Sequence, residues 1–167
     1  MTIASAKTQL LIDSNQAELG SLLSRFGIVI NVISPELEIP GSFWGDEEAG
    51  LIRNQLYARP DTPIHSILHE SCHYVCMDEC RRSSLHTNAG GSADEENAVC
   101  YLQILLSDHL SFTSKTKMMK DMDNWGYSFR LGSSKAWFES DASETADWLI
   151  EHKLINRAHA VTFNLRH

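Results

Sequence analysis

Apolar positions recur along this chain at two periods, and the periods divide it into elements. In residues 15–26, Ala17, Leu19, Leu22, Leu23 and Phe26 fall on one side of a helix, and Gly27 is a natural stop. Residues 28–33 (Ile-Val-Ile-Asn-Val-Ile) are dense in β-branched side chains and predict a strand. Residues 51–59 alternate weakly and predict a second strand with one exposed face. Asp61-Thr62-Pro63 reads as a helix start, with Asp61 or Thr62 to cap and Pro63, whose φ is fixed, in the first turn. The helix it opens is expected over 63–82, where Ile64, Ile67, Leu68 and Val75 give it a buried side. After the loop Asn88-Ala-Gly-Gly-Ser92, either Ser92 or Asp94 can cap a helix over 93–109. Further helices are expected over 114–122 and 143–154, with residues 124–129 irregular or a short strand. Helix, strands, then mostly helices is an α+β order rather than an alternating one.

Composition narrows this without redirecting it. A chain of 167 residues, 43% apolar and 22% charged, can bury a full core, and a single domain over 1–167 is expected. Those values exclude disorder, collagen and coiled coil as descriptions of the whole. A net charge of −8 works against nucleic acid or an anionic membrane as a partner. No stretch approaches the roughly 20 apolar residues of a membrane helix. Leu10-Leu11-Ile12 is too short for the apolar part of a leader, so a cytoplasmic protein is the expectation. Three of the four cysteines (Cys72, Cys76 and Cys80, with Cys100 apart) are spaced by four and stack on one helix face. That geometry suits a bridge poorly, so reduced thiols are expected, serving mainly as packing, with a second metal or redox sensing as the alternative. Histidine is over-represented, eight in all, with three between 65 and 73.

Two of those three carry chemistry. His69-Glu70-Ser71-Cys72-His73 fits H-E-x-x-H. Residues four apart project from one helix face, so two imidazole nitrogens can meet one metal ion. Glu70, one step along, sits beside the ion without binding it, where it can take a proton from an activated water. A catalytic zinc needs a third protein ligand and one open position. Asp94, Glu95 and Glu96 lie downstream in the expected helix. Glu95 shares a stripe with Ala98, Val99, Leu102 and Leu106 and should face inward, where a carboxylate needs a positive partner. Glu96 shares a more polar stripe with Cys100, Gln103 and Ser107.

H-E-x-x-H followed, tens of residues later, by Glu95-Glu-Asn-Ala98 (E-x-x-A) resembles the gluzincin metallopeptidases, the broad group of thermolysin and aminopeptidase N. The resemblance covers about residues 59–106. It implies a zincin-like α+β fold: a small sheet, an active-site helix and further C-terminal helices. It also implies Zn2+, His69, His73 and Glu95 as ligands, Glu70 as general base, and a peptide or protein substrate. Glu96 stays the alternative third ligand. Many relatives carry Asp four residues after the ligand Glu, to orient a ligand histidine; here that position is Val99. The group also commonly has a His or Tyr that stabilises the oxyanion, for which His86, His109, Tyr101 and Tyr127 are unranked choices.

The expectation is therefore a zinc-dependent metallohydrolase, in the first place a peptidase. A structural or regulatory zinc site on a protein-interaction domain is the alternative, and a non-peptide amide substrate a further one. Residues 51–59 could pair with extended substrate as an edge strand or be an ordinary sheet strand. His65, one turn before His69, is expected near the site rather than in it. Asp46-Glu-Glu48 beside Trp44 reads as a solvated loop, and Trp125, Tyr127, Phe129, Trp137 and Phe138 as core, with a cleft lining as the alternative. Arg81-Arg82 falls near the end of the motif helix, where cations are favoured.

Overall fold

The computed structural model describes residues 7–167; the first six, part of the stretch read above as no leader, lie outside the described residues. A single 3-10 turn, Leu11–Asp13, leads into α1 (Gln16–Ser24), whose first turn is capped by the Asn15 side chain accepting from Glu18 N–H. Gly27 takes φ 77°, which reverses the chain into β1 (Val29–Val32).

Residues 51–59 are not one strand. They form the hairpin of β2 (Gly50–Ile52) and β3 (Gln55–Ala58), turning at Arg53, which adopts φ 51° and donates its N–H to Leu85 O. The sheet order is β1-β3-β2, parallel between β1 and β3 and antiparallel between β3 and β2. So β3 is central, and the outer side of β2 is already used: Leu51 N–H donates to Gly41 O, and Thr87 N–H donates to Leu51 O. The expected edge beside the motif helix is therefore covered by the protein's own loops.

Helix α2 (Ile64–Cys76) lies between this sheet and the later helices, and every one of its residues except His69 is buried. It stops six residues before the expected end. Met77 is extended, Asp78 caps the separate short helix α3 (Glu79–Ser83), and Arg82 folds back so that its guanidinium donates to Tyr74 O and Met77 O. The favourable place for a cation is thus taken up literally, with Arg82 satisfying carbonyls at the end of α2.

Ser92 caps α4 (Ala93–Ser107), which packs along α2 with Ala98, Val99 and Leu102 fully buried. Ser114 caps α5 (Lys115–Trp125), which closes on Gly126 at φ 105°. Helix α6 (Ser134–Ser140), which the periodicity did not show, is only two turns long; α7 (Ser143–Glu151) follows it. The result is α+β, with seven helices and one small mixed sheet among the described residues. Among those residues no helix is long and apolar enough to cross a membrane.

Candidate metal centre

His69 and His73 stand on consecutive turns of α2, their ring centroids 4.7 Å apart and their Nε2 atoms 3.1 Å apart. Glu96, in the first turn of α4, brings Oε2 to 3.5 Å from His73 Nε2. One donor atom from each of the three lies within 4.8 Å of the others. Donors about 2.0–2.1 Å from one zinc ion at tetrahedral angles are about 3.3 Å apart, and the two measured spacings bracket that value. Among the described residues no fourth His, Cys, Asp or Glu joins the group.

Glu95 goes elsewhere. It is buried, 2% exposed, as its stripe requires. Its carboxylate, however, accepts from both terminal nitrogens of Arg81 at 2.8 Å and from Arg166 Nη1 at 3.2 Å. An inward carboxylate there does have a positive partner, and the partner is a pair of guanidiniums. The structure does not bring Glu95 to the histidines; it brings Glu96, because the stripe of Glu96, Cys100 and Gln103 is the one α4 turns toward the His face of α2. Gly91 makes room for the ion pair, since a Cβ there would lie 2.4 Å from the Glu95 carboxylate.

Gln103 is a site residue the sequence reading did not assign. Its Oε1 accepts from His69 Nδ1 at 2.9 Å, and its Nε2 donates to His65 O at 2.9 Å. An amide anchored at its nitrogen end presents only oxygen to the imidazole, so His69 carries its proton on Nδ1 and offers the Nε2 lone pair to the centre. Gln103 thus does the orienting that Val99 cannot. The only available signal was a polar side chain in the same stripe as Glu96. His73 Nδ1 has no partner among the described residues.

Burial holds both imidazoles neutral. His69 is pushed down to about 4, by burial first and then by His73, and His73 to about 4, by burial and then by Arg81. Neutral imidazole is the form that binds metal. Glu70 is pushed up to about 8, by burial first and then by Glu48 and Glu96. It is 8% exposed and makes no side-chain hydrogen bond or ion pair among the described residues. Two carboxylates therefore act on Glu70 here, with no Lys or Arg among the described residues lining either cleft it faces.

Two clefts, of about 430 and 140 Å3, adjoin this centre: His69, His73 and Glu96 all line the smaller, and His69, Glu70 and Trp44 line both. The larger is also lined by Glu48, Ser66, Trp125 and Tyr127. The loop acid Glu48 is therefore a cleft residue, and the aromatic group divides: Trp125 and Tyr127 line the cleft, whereas Trp137 is core beneath Phe129.

Of the four oxyanion choices only Tyr127 lines either cleft. Its ring stands edge-on to His69 at 5.4 Å, its hydroxyl lies 3.2 Å from His65 Nδ1, and burial pushes the phenol well up. His86 bonds to Thr87, His109 packs on Phe163, and Tyr101 pairs with His159. His65 is buried outside the donor group, its Nε2 without a partner among the described residues. Cys72 and Cys76 are buried, Cys100 is half-buried and Cys80 exposed, all with free thiols. Burial pushes Cys100 up to about 12. Comparison of the chain with protein-family models, with curated proteins and with solved structures gives no match.

Proposed function

We propose that this protein is a zinc-dependent hydrolase of peptide bonds, with His69, His73 and Glu96 as the protein ligands and Glu70 as general base. The observation that carries the reading is the convergence of two neutral imidazole nitrogens and one carboxylate oxygen within 4.8 Å, in the lining of a cleft. Two imidazoles and a carboxylate together suit zinc. The excess of carboxylate over positive charge is a second sign of fit, because a cation between Glu70 and Glu96 lowers the cost of their proximity. On this reading the likeness to the gluzincins extends to H-E-x-x-H, while the third ligand is one residue beyond the acid of E-x-x-A.

When bound, zinc supplies Lewis-acid activation of a water and of the scissile carbonyl. The rest falls to the chain's own groups. Gln103 holds His69 in one tautomer. A carboxylate oxygen of Glu70 accepts the proton of the attacking water and returns it to the leaving nitrogen. The protonated phenol of Tyr127 can donate to the oxygen on which charge develops. The two adjoining clefts leave room for substrate beside the centre. Three donors rather than four among the described residues, together with those clefts, favour an enzyme over a structural zinc site.

The test is Glu70→Gln. About one zinc per chain is expected in both wild type and variant by elemental analysis, with hydrolysis of a peptide library lower by at least about a hundredfold in the variant. No zinc in the wild type, or its loss with Glu70→Gln, overturns the assignment of roles.

A further inference from the structure

Glu48 differs from an ordinary surface acid. Ser66 Oγ donates to its Oε2 at 2.5 Å and Trp125 Nε1 donates to its Oε1 at 2.6 Å. Both donors are neutral. They fix the carboxylate's orientation but leave its charge uncompensated, and each oxygen keeps a free lone pair. No Lys or Arg among the described residues lines either cleft. Glu70 adds a second carboxyl to the same cleft: it is more than nine-tenths buried as a residue, has no protein hydrogen-bond partner among the described residues and lines the cleft beside Glu48. Its carboxyl lines the cleft with lone pairs that no protein donor occupies, so a donor on a ligand can reach it there. The remaining walls are aromatic. Trp125 and Trp44 flank the cleft, and Trp44 is left 73% exposed at its rim. Indole faces attract cations as well as apolar groups.

We propose that this cleft is a subsite for an organic cation, an ammonium or guanidinium group carried by the substrate, and that Glu48 is its specificity-determining carboxylate. The proposal rests on the hydrolase reading only in placing the reacting bond at Glu70; cation binding itself does not require turnover. A fixed carboxylate between aromatic walls gives a guanidinium or ammonium a charge-assisted hydrogen bond and a cation–π contact together. A Lys or Arg side chain and a free amino terminus carry the same chemistry, and the experiment separates them.

Tryptophan fluorescence, to which Trp44 and Trp125 contribute two of the four indoles, is followed while the full chain, before and after zinc addition, is titrated with small amides. These are N-acetyl-arginine methylamide, its neutral isostere N-acetyl-citrulline methylamide, and leucine methylamide with its amino terminus free. At least one cationic amide should bind about tenfold or more tighter than the citrulline compound, and the tighter of the two cationic amides identifies the source of the charge. Glu48→Gln should bring the preferred ligand down to the citrulline level. Trp44→Ala, a change at an exposed rim, should weaken the cationic amide and leave the citrulline compound unchanged. Equal binding of all three amides, no saturation by any of them at millimolar concentration, or a preference that survives Glu48→Gln overturns the proposal. Zinc content and turnover are measured on the same samples. A cation preference without zinc or turnover removes the hydrolase reading and keeps the subsite; zinc and turnover without the preference do the reverse.

Discussion

Glu95 and Glu96 are neighbours in sequence and about 100° apart around α4, and that rotation separates an ion-paired carboxylate from one that meets two imidazoles. The two make opposite predictions. Glu96 is 41% exposed at its side chain, so changing it should leave the fold intact. Glu96→Gln should abolish stoichiometric zinc while keeping the wild-type unfolding midpoint of the metal-free chain. Glu95→Gln should keep about one zinc per folded chain and lower stability by about 2 kcal/mol. That is less than the figure for a fully buried pair, because Arg81 is 37% exposed. Elemental analysis and denaturant titration read both, and the reverse pattern would return the third ligand to Glu95. Gln103 gives a finer test. Gln103→Leu removes the acceptor for His69 Nδ1 and should weaken zinc by about 10–100-fold in chelator competition, with Glu70 untouched.

At the scale of elements, most starts and stops were legible because they depend on one or two local residues. Ser92 and Gly27 act where the pattern puts them, but neither Asp61 nor Thr62 caps α2: both side chains bond to Arg59, and Pro63 takes the N-cap place with no side-chain bond. The end of α2 was not legible. Its apolar spacing runs on past Cys76, and what halts it is the guanidinium of Arg82, 8% exposed, folded onto Tyr74 O, Met77 O and Arg166 O. A side chain six positions downstream leaves no periodic trace. Arg82→Lys should cost about 2 kcal/mol by denaturant unfolding, since an ammonium cannot reproduce the planar fork and buried carbonyls lose their donor. An unchanged midpoint would mean that the helix ends for another reason. The hairpin over 51–59 was missed for a similar cause: Arg53 accepts a left-handed conformation that its residue type does not advertise.

For the whole molecule, burying histidine makes stability depend on pH. His65, buried, is pushed down to about 3, by burial first and then by His69 and Lys117. Above about pH 6.5 it is neutral in folded and unfolded chains alike and its titration costs the fold nothing. As the pH falls from there toward 3, the unfolded chain takes up a proton that the folded chain refuses. Stability should then fall by about 1.4 kcal/mol per pH unit from this residue, with His69 and His73 adding in the same direction in metal-free protein. Denaturant midpoints of metal-free wild type and His65→Gln at pH 7, 6 and 5 check this. The variant should have the shallower slope, and parallel lines would mean that His65 is solvated in the folded chain.

The sequence by itself determined the features that local geometry dictates: the α+β order, the Ser92 cap, the buried motif helix, and the meeting of His69 and His73 beside Glu70. Residues four apart share a helix face whatever surrounds the helix. Only the tertiary structure decided which carboxylate faces them, that Gln103 orients His69, and that Glu48, Trp125 and Tyr127 wall the cleft. Those facts depend on how α4 is rotated against α2 and on where a loop and the end of α5 come to rest. Such placements are fixed by packing over the whole core, and no spacing along the chain encodes them.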